Sequence, residues 1–263
     1  MNPRVVARTI VPLARSGTRA ECLFNEHHHT TLKMKIKAIT LDLDDTLWPI
    51  APTIQRAETL LHQWIHREAP ELGEITPEAL REIRNELFES HPHQKHDLAW
   101  YRLKALEVIF ERAGLDTRRA KDGFDIFTEA RQTVIPYPDA LPALSMLMQR
   151  YPLGALSNGN ADVKKIGLSP YFRIALSAKD LGMSKPDPEI FHYACRMLGC
   201  KPEEVLHVGD DAHADVVGAR KAGLHAAWIN RHDADWPQEQ HGDPDHHEFA
   251  DMKELAEWVL RST

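Results

Sequence analysis

Residues 36–46, which read IKAITLDLDDT, decide the fold of this 263-residue chain. The stretch predicts a buried strand, because aliphatic and β-branched residues dominate it and the polar turn Asp44-Asp45-Thr46 ends it. If the strand continues that far, the alternation of side chains points Asp42 and Asp44 the same way. Two such carboxylates suit a division of labour, in which one attacks as a nucleophile and the other carries a proton. An acidic turn without catalytic role explains the same residues as well, since Asp and Thr are common in turns.

The chain outside this stretch divides into a helical block and an alternating block. Residues 53–134 show only helical periods, which favours a bundle of four helices. Strands and helices alternate after Pro138, which predicts a parallel sheet with helices on both faces. The predicted strands are Leu153–Leu156, Ile174–Ser177, Val205–Val208 and His225–Ile229, and the predicted helices are Ala140–Gln149, Ala161–Ile166, Glu189–Leu198, Ala214–Ala222 and Met252–Leu260.

The helical block interrupts the sheet after its first strand, so we interpret it as an insertion. The predicted fold class is α/β, with a Rossmann-like doubly wound parallel sheet as the core and an inserted α-helical bundle as a cap. The expected boundaries are 34–50 and 137–263 for the core and 51–136 for the cap. Residues 1–33 form an N-terminal extension, which we expect to be disordered or to precede a true start at Met34. Its Arg-rich, acid-poor composition superficially suits an organellar transit peptide instead.

Composition excludes several classes of protein. With 43% hydrophobic and 27% charged residues, the chain has a globular balance rather than that of a disordered protein. Its net charge of −7 disfavours nucleic-acid binding, and no apolar run reaches the ~18 residues that a membrane helix needs. The 3 cysteines form no CxxC pair, which predicts free thiols and a cytoplasmic protein.

Polar side chains follow three further strands, at the sheet edge where ligands of parallel α/β folds bind. Ser157-Asn158-Gly159-Asn160 precedes a predicted helix, so it reads either as an anion site or as a plain cap and turn. Lys185 stands before Pro186 in a rigid segment, where it would neutralise a phosphoryl group unless it is a solvated surface charge.

The strand at Val205–Val208 is followed by a second acidic group, Gly209-Asp210-Asp211 with Asp215. Hard oxygen ligands at a strand end suit Mg²⁺, although a Gly-Asp turn with a helix cap would look the same. His207 lies within the strand, and we expect it to be packed rather than catalytic.

Taken together, these motifs resemble the haloacid dehalogenase superfamily of phosphohydrolases over about residues 36–230. The resemblance rests on Asp42-x-Asp44-x-Thr46, Ser157 after a strand, Lys185 before Pro186, and Gly209-Asp210-Asp211 with Asp215. The helical insertion after the first motif matches the type 1 cap of that family. The dehalogenase branch lacks an acid at the position of Asp44, so the resemblance favours phosphate-ester chemistry over carbon–halogen cleavage.

The resemblance implies a role for each motif. Asp42 would be the nucleophile, and Asp44 would protonate the leaving group and then deprotonate water. Ser157, Asn158 and Lys185 would bind the phosphoryl group. Asp42, the backbone carbonyl of Asp44, and Asp210 would hold Mg²⁺. Asp211 and Asp215 would orient Lys185 or metal-bound water. Thr46 would stabilise the loop that aims Asp44.

A narrower likeness connects the chain with a bacterial flavin-pathway branch of that family. It rests on residues 97–102, the run Ser157-Asn158-Gly159-Asn160, and residues 206–211. Members of the branch dephosphorylate flavin mononucleotide or 5-amino-6-(5-phospho-D-ribitylamino)uracil, which implies a role in riboflavin biosynthesis. Trp48, Trp64, Trp100 and Tyr101 would offer a stacking surface. Trp48 is the best candidate for a substrate contact, whereas Trp64 fits the core of the cap.

Two other functions fit the same core. A phosphomutase would return the phosphoryl group to a sugar, and a non-catalytic sensor of a phosphorylated metabolite would need neither Asp42 nor Asp44. The expected partner is a small phosphorylated metabolite, such as a flavin precursor, a nucleotide, phosphoglycolate or a sugar phosphate. We expect a monomer or homodimer that binds neither nucleic acid nor a membrane.

Overall fold

The computed structural model describes residues 35–237 and 245–262. Its centre is a parallel sheet of six strands in the order β3-β2-β1-β4-β5-β6. The strands are β1 (Ala38–Leu41), β2 (Leu153–Ser157), β3 (Ile174–Ser177), β4 (Val205–Gly209), β5 (His225–Ile229) and β6 (His247–Phe249). The predicted α/β class with a parallel sheet is confirmed.

The central strand β1 places its carboxyl end between β2 and β4. All four of its residues are buried, and alternate side chains enter two different apolar clusters. Ile39 and Leu41 pack with α5 (Ala140–Leu147) and α9 (Met252–Ser262), whereas Ala38 packs with α7 (Pro188–Leu198). Helices therefore cover both faces, and ligands have access only at the strand ends.

Four helices follow β1 directly and have an apolar core of their own. They are α1 (Ile50–Glu68), α2 (Pro77–Ser90), α3 (Leu98–Arg112) and α4 (Ala120–Arg131). Trp64, Tyr101 and Phe110 are buried among their apolar stripes, which matches the expectation for Trp64. We call this helical insertion the cap.

Several predicted elements need correction. No helix forms over Ala161–Ile166, where the chain makes a single turn. The Asp162 side chain accepts the Lys164 N–H at 2.8 Å, and Gly167 takes a left-handed φ of 86°, so the turn stops. The run Ser157–Asn160 is therefore not a helix N-terminus. Its reading as an anion site at a helix end is wrong.

Other boundaries shift by small amounts. β1 is shorter than the predicted strand, since the residues paired with both neighbouring strands end at Leu41. The helix predicted over Ala214–Ala222 begins as a π-helical turn, Ala212–Val217, and continues as α8, Gly218–Lys221. β6 was not expected, because its three residues, HEF, carry no alternation long enough to read. A short helix, α6, follows β3 at Ala178–Leu181.

In the described ranges, no helix is long and apolar enough to cross a membrane. The described cysteines, Cys195 and Cys200, are free thiols, as expected. Cys22 and the N-terminal extension lie outside the described residues.

Candidate active site

Asp42 follows β1 at the carboxyl edge of the sheet, where its backbone N–H donates to the Val208 carbonyl oxygen at 2.8 Å. Its side chain is only 12% exposed, and one carboxylate oxygen lies 2.6 Å from Lys185 Nζ. The structure thus brings together two predicted site residues that are 143 positions apart in the chain.

Lys185 is not a surface charge. Its ammonium is buried and contacts Asp215 Oδ1 at 2.6 Å as well as Asp42. Asp215 Oδ2 accepts the backbone N–H of Asp211 at 3.0 Å, so both oxygens of Asp215 have protein partners. Asp215 therefore holds Lys185 in place, which is the arrangement expected for it.

His207 is hydrogen-bonded to this buried group of charged side chains. Its Nε2 donates to Asp215 Oδ1 at 2.9 Å, and its Nδ1 lies 2.8 Å from the Thr40 hydroxyl. Burial lowers the pKa of His207, which favours the neutral ring. The residue is packed, as expected, but its hydrogen bond to the carboxylate that supports Lys185 was missed.

The surroundings of the buried groups move their pKa values in opposite directions. Burial raises the pKa of Asp42 well above its usual range, against the opposing charge of Lys185. Burial and the negative charge of Asp215 raise the pKa of Asp210 to about 7. Burial would also raise the pKa of Asp215, but Lys185 and His207 outweigh it and hold the pKa below its usual range.

The acidic cluster fits a divalent cation. Asp42, Asp210 and Asp215 each offer a carboxylate oxygen, and these oxygens lie within 4.8 Å of one another. Three carboxylates against the single ammonium of Lys185 leave a buried excess of negative charge, which a divalent cation would balance. Because all the donors are hard oxygens, Mg²⁺ is the cation that suits them.

Asp42 and Asp210 are the members of the cluster with oxygens to spare, since Asp215 is occupied. Asp210 Oδ1 accepts from the Thr46 hydroxyl at 2.9 Å, so Thr46 holds the Asp210 carboxylate, and its expected role in the loop that aims Asp44 stays a prediction. Gly209 is required beside them, because a Cβ there would come within 2.2 Å of the Asp215 carboxylate. A metal contact through the backbone carbonyl of Asp44 stays a prediction.

Two side chains that were expected to contact phosphate or to orient Lys185 are hydrogen-bonded to backbone groups. The Asn158 amide pairs with Lys185, donating to its carbonyl at 2.9 Å and accepting its N–H at 2.8 Å. The Asn158 side chain therefore fixes the backbone of Lys185. The predicted phosphate contact by Asn158 stays a prediction, and it would use the backbone N–H of Asn158. Asp211 Oδ1 accepts the N–H groups of His213 and Ala214, so it caps the π-helical turn rather than orienting Lys185 with its carboxylate.

The Ser157 hydroxyl lies at the end of β2 and accepts the Gly159 N–H at 2.9 Å. Gly159 approaches Asp44 so closely that a Cβ would lie 2.4 Å from Asp44 Oδ2 and 3.2 Å from Ser157 Oγ. Ser157 and Asp44 therefore face each other across a glycine, and phosphate binding by Ser157 stays a prediction.

Trp48 is not a stacking surface. Its side chain has 0% exposure, and its indole N–H donates to Asp44 Oδ1 at 2.8 Å. A ring without accessible faces cannot stack on a substrate, so the substrate contact expected for Trp48 is wrong in this structure. The Trp48 side chain holds Asp44. The short separation of the two residues in the sequence could have suggested this contact.

Arg131, in the last turn of α4, was not expected at the site. Its Nη2 lies 2.6 and 2.5 Å from the two carboxylate oxygens of Asp44, and its Nε donates to Asn160 Oδ1 at 2.8 Å. A basic residue in the last turn of a helix is ordinary, so the sequence carried no signal for this contact. The cap therefore contributes a charged side chain to the site.

A cavity of about 430 Å³ lies between the cap and the carboxyl ends of β2 and β3. Phe124 and Thr128 line it from α4, and Ser157, Asn160 and Leu176 line it from the core. Its volume falls within the ~300–1,000 Å³ that is usual for small-molecule sites.

The parallel sheet, the inserted cap and the acidic cluster define a capped Rossmann-like enzyme with carboxylates at the carboxyl end of its central strand. Comparison with known proteins gives the family. A family model described as haloacid dehalogenase-like hydrolase matches residues 36–223, and the chain belongs to that family.

Individual relatives cover most of the chain. The 5-amino-6-(5-phospho-D-ribitylamino)uracil phosphatase YigB of Escherichia coli (strain K12) is 33% identical over 78% of this chain and 87% of its own length. A phosphoserine phosphatase of Thermus thermophilus is 31% identical, over 74% and 89%. The crystal structure of a 2-haloacid dehalogenase from Pseudomonas syringae pv. Tomato DC3000 matches with 38% identity and a TM-score of 0.80, covering 87% of this chain and 100% of that one.

Proposed function

We propose that this chain, a phosphoric monoester hydrolase of the haloacid dehalogenase-like family, hydrolyses a small-molecule phosphate monoester through an aspartyl-phosphate. The observation that carries the proposal is the pair of carboxylates at the end of β1. Asp42 contacts the buried ammonium of Lys185, while Asp44 lies on the cap side beside Ser157 and Gly159.

The two carboxylates divide the reaction between them. Asp42 attacks phosphorus and forms the acyl phosphate, while Asp44 gives its proton to the departing alkoxide oxygen. Asp44 then takes a proton from the water that attacks the acyl phosphate, which releases inorganic phosphate and restores Asp42. Lys185 and Ser157 hold the phosphoryl oxygens as their charge redistributes.

Asp42 and Asp210 would hold Mg²⁺. When bound, the ion supplies neutralising charge that lets an anionic nucleophile approach an anionic ester. The protein prepares for this by keeping Asp42 beside Lys185 and by fixing Asp210 through Thr46.

Halide release from a haloacid is the second candidate, because the matched Pseudomonas syringae structure is that of a 2-haloacid dehalogenase. Halide leaves as a stable anion and needs no proton, whereas an alkoxide does. Asp44 is present and is held by Trp48 and Arg131, which supports ester hydrolysis. The same feature separates this chain from a sensor that only binds.

Flavin mononucleotide and 5-amino-6-(5-phospho-D-ribitylamino)uracil are the proposed substrates, and riboflavin biosynthesis is the proposed setting. The likeness to YigB supports them, as does a cavity that both Phe124 and Ser157 line. Phe124 replaces Trp48 as the residue proposed to contact the ring. A cytoplasmic location and a monomeric or homodimeric state stay predictions.

A phosphate-release screen with Mg²⁺ tests the proposal. The panel contains the two flavin-pathway esters, nucleotides, phosphoglycolate and sugar phosphates, with 2-chloropropionate assayed for chloride. We expect stoichiometric phosphate from the flavin-pathway esters, with the highest kcat/KM among the panel. Chloride release without phosphate release would overturn the phosphatase proposal. Transfer of the phosphoryl group within a sugar phosphate would support a mutase instead.

A further inference from the structure

Arg131 carries a buried charge from the cap into the core. It is the last residue of α4, and its side chain is 1% exposed. It does not belong to the apolar core of the cap. Burial of a guanidinium is costly unless the group is paired and hydrogen-bonded, so its partners show what holds it there.

Those partners lie on the core side. Nη2 donates to the Asp44 carboxylate, and Nε donates to Asn160 in the loop after β2. Nη1 is buried and has no hydrogen-bond partner among the residues that the structure describes. An arginine placed only to stabilise the cap would pair within the cap. This one pairs with the carboxylate that the proposed mechanism uses for proton transfer.

Asp44 is in turn held from three directions. Trp48 donates to Oδ1 from the loop below, Arg131 donates from the cap, and Gly159 closes the side toward Ser157. Trp48 reaches only Oδ1, so it cannot by itself fix the rotation of the carboxylate plane. The contact of Arg131 with both oxygens supplies that restraint.

We propose that Arg131 is the positioning residue of Asp44, so that the cap contributes to proton transfer as well as to substrate choice. The inference rests on the proposed function, in which Asp44 is the general acid and base. Because Arg131 lies on α4, the cap must be packed against the core before its guanidinium can orient Asp44.

The test compares two esters that differ in their need for an acid. Flavin mononucleotide releases an alkoxide and needs the proton, whereas para-nitrophenyl phosphate releases a stabilised phenolate and needs it far less. Arg131→Met should lower kcat/KM, which reports formation of the acyl phosphate, by about 100-fold for flavin mononucleotide, the scale of a misplaced catalytic group, and by less than about 10-fold for the aryl ester. Arg131→Lys should restore part of the loss on flavin mononucleotide. Added guanidinium should do so in Arg131→Ala.

Arg102→Met is the matched control, since Arg102 is a half-buried cap arginine that packs over Phe127 at 3.7 Å and, within the described part of the chain, makes no hydrogen bond to Asp44. It should lower the melting temperature without changing the ratio of the two esters. Equal losses on both esters in Arg131→Lys, or a faster enzyme, would overturn the inference.

A double-mutant comparison separates this inference from the proposed function. If Arg131 acts through Asp44, Arg131→Met should cost little more in an Asp44→Asn background. If Asp44→Asn itself lowers kcat/KM equally for the two esters, the proposed function fails. If Asp44→Asn discriminates between them and the Arg131 variants do not, only the inference fails.

Discussion

Asp42 and Asp44 stand two residues apart, yet they face different surroundings. Asp42 points toward the ammonium of Lys185 on the core side, and Asp44 points toward the guanidinium of Arg131 on the cap side. Two identical carboxyl groups can therefore serve as nucleophile and proton carrier, because their neighbours rather than their chemistry differ.

Asp42→Asn should abolish turnover while the protein stays folded. The amide cannot form the acyl phosphate and is a poorer metal ligand, so we expect less than about 1% of wild-type kcat. Circular dichroism and the melting temperature serve as controls for folding. Substantial turnover by a pure, undeamidated variant would remove Asp42 as the nucleophile.

Phe124→Ala should weaken catalysis of flavin mononucleotide by ~1–2 kcal/mol in kcat/KM, the scale of one aromatic contact. Phosphoglycolate, which has no ring, should lose much less. Trp48→Phe is the contrast, because it removes the indole N–H that holds Asp44 and keeps an aromatic ring at a buried position. It should slow both alkyl esters by similar factors. A selective loss on flavin mononucleotide in Trp48→Phe would restore Trp48 as a ring contact.

Among the elements, the turn between β4 and α8 concentrates the acidic groups. The π-helical geometry of Ala212–Val217 and the absence of a side chain at Gly209 let Asp215 fold back under the strand end. Asp210 remains at the edge with a pKa raised to about 7. A cation should therefore control both the charge and the stability of this turn.

The free energy of unfolding of the metal-free protein should fall as pH rises from 3.8 to about 7. The raised pKa of Asp210 means that its protonated form stabilises the fold below its usual pKa of 3.8, and that this contribution is lost as pH rises to about 7. Mg²⁺ replaces the proton, so it should raise the melting temperature more at about pH 8 than at about pH 5.5. Calorimetry with Mg²⁺ or with chelator at both pH values measures this difference.

His207 changes stability in the opposite sense, because burial lowers its pKa and the unfolded chain takes up the proton first as pH falls. The effect of Mg²⁺ must therefore be compared within each pH. Asp210→Asn is the control, and it should reduce the pH dependence of the Mg²⁺ effect. Full phosphatase activity after exhaustive chelation would remove the metal from the mechanism.

At the scale of the whole molecule, the active site is assembled from both parts of the chain. The core supplies the acidic cluster and Lys185, and the cap supplies Arg131 and Phe124 beside the cavity. The segments that join cap and core follow β1 and precede α5. Closure of the cap over these strand ends would exclude bulk water and complete the pocket.

The N-terminal extension should be dispensable. Residues 1–33 show no hydrophobic periodicity, and the first core strand begins after them. We expect the protein without them to keep its kcat and its melting temperature. A fall of several degrees on truncation would show that the extension contributes to folding.

The sequence by itself determined the parallel α/β core, the helical insertion and the strand ends with polar groups. These follow from local periodicity and from the rule that ligands bind where parallel strands end. Their positions after predicted strands made Asp42, Asp210 and Lys185 candidates, and the family resemblance supplied the role expected of each.

Only the tertiary structure decided which side chains reach one another. Trp48 is adjacent to the loop in sequence but has no exposed face, and Arg131 lies 87 residues from Asp44 yet contacts both of its oxygens. Asn158 and Asp211 have the right residue types, but the backbone groups of Lys185, His213 and Ala214 take their side chains. Burial and pairing depend on how the cap and the loops fold over the sheet, and no local pattern encodes that arrangement.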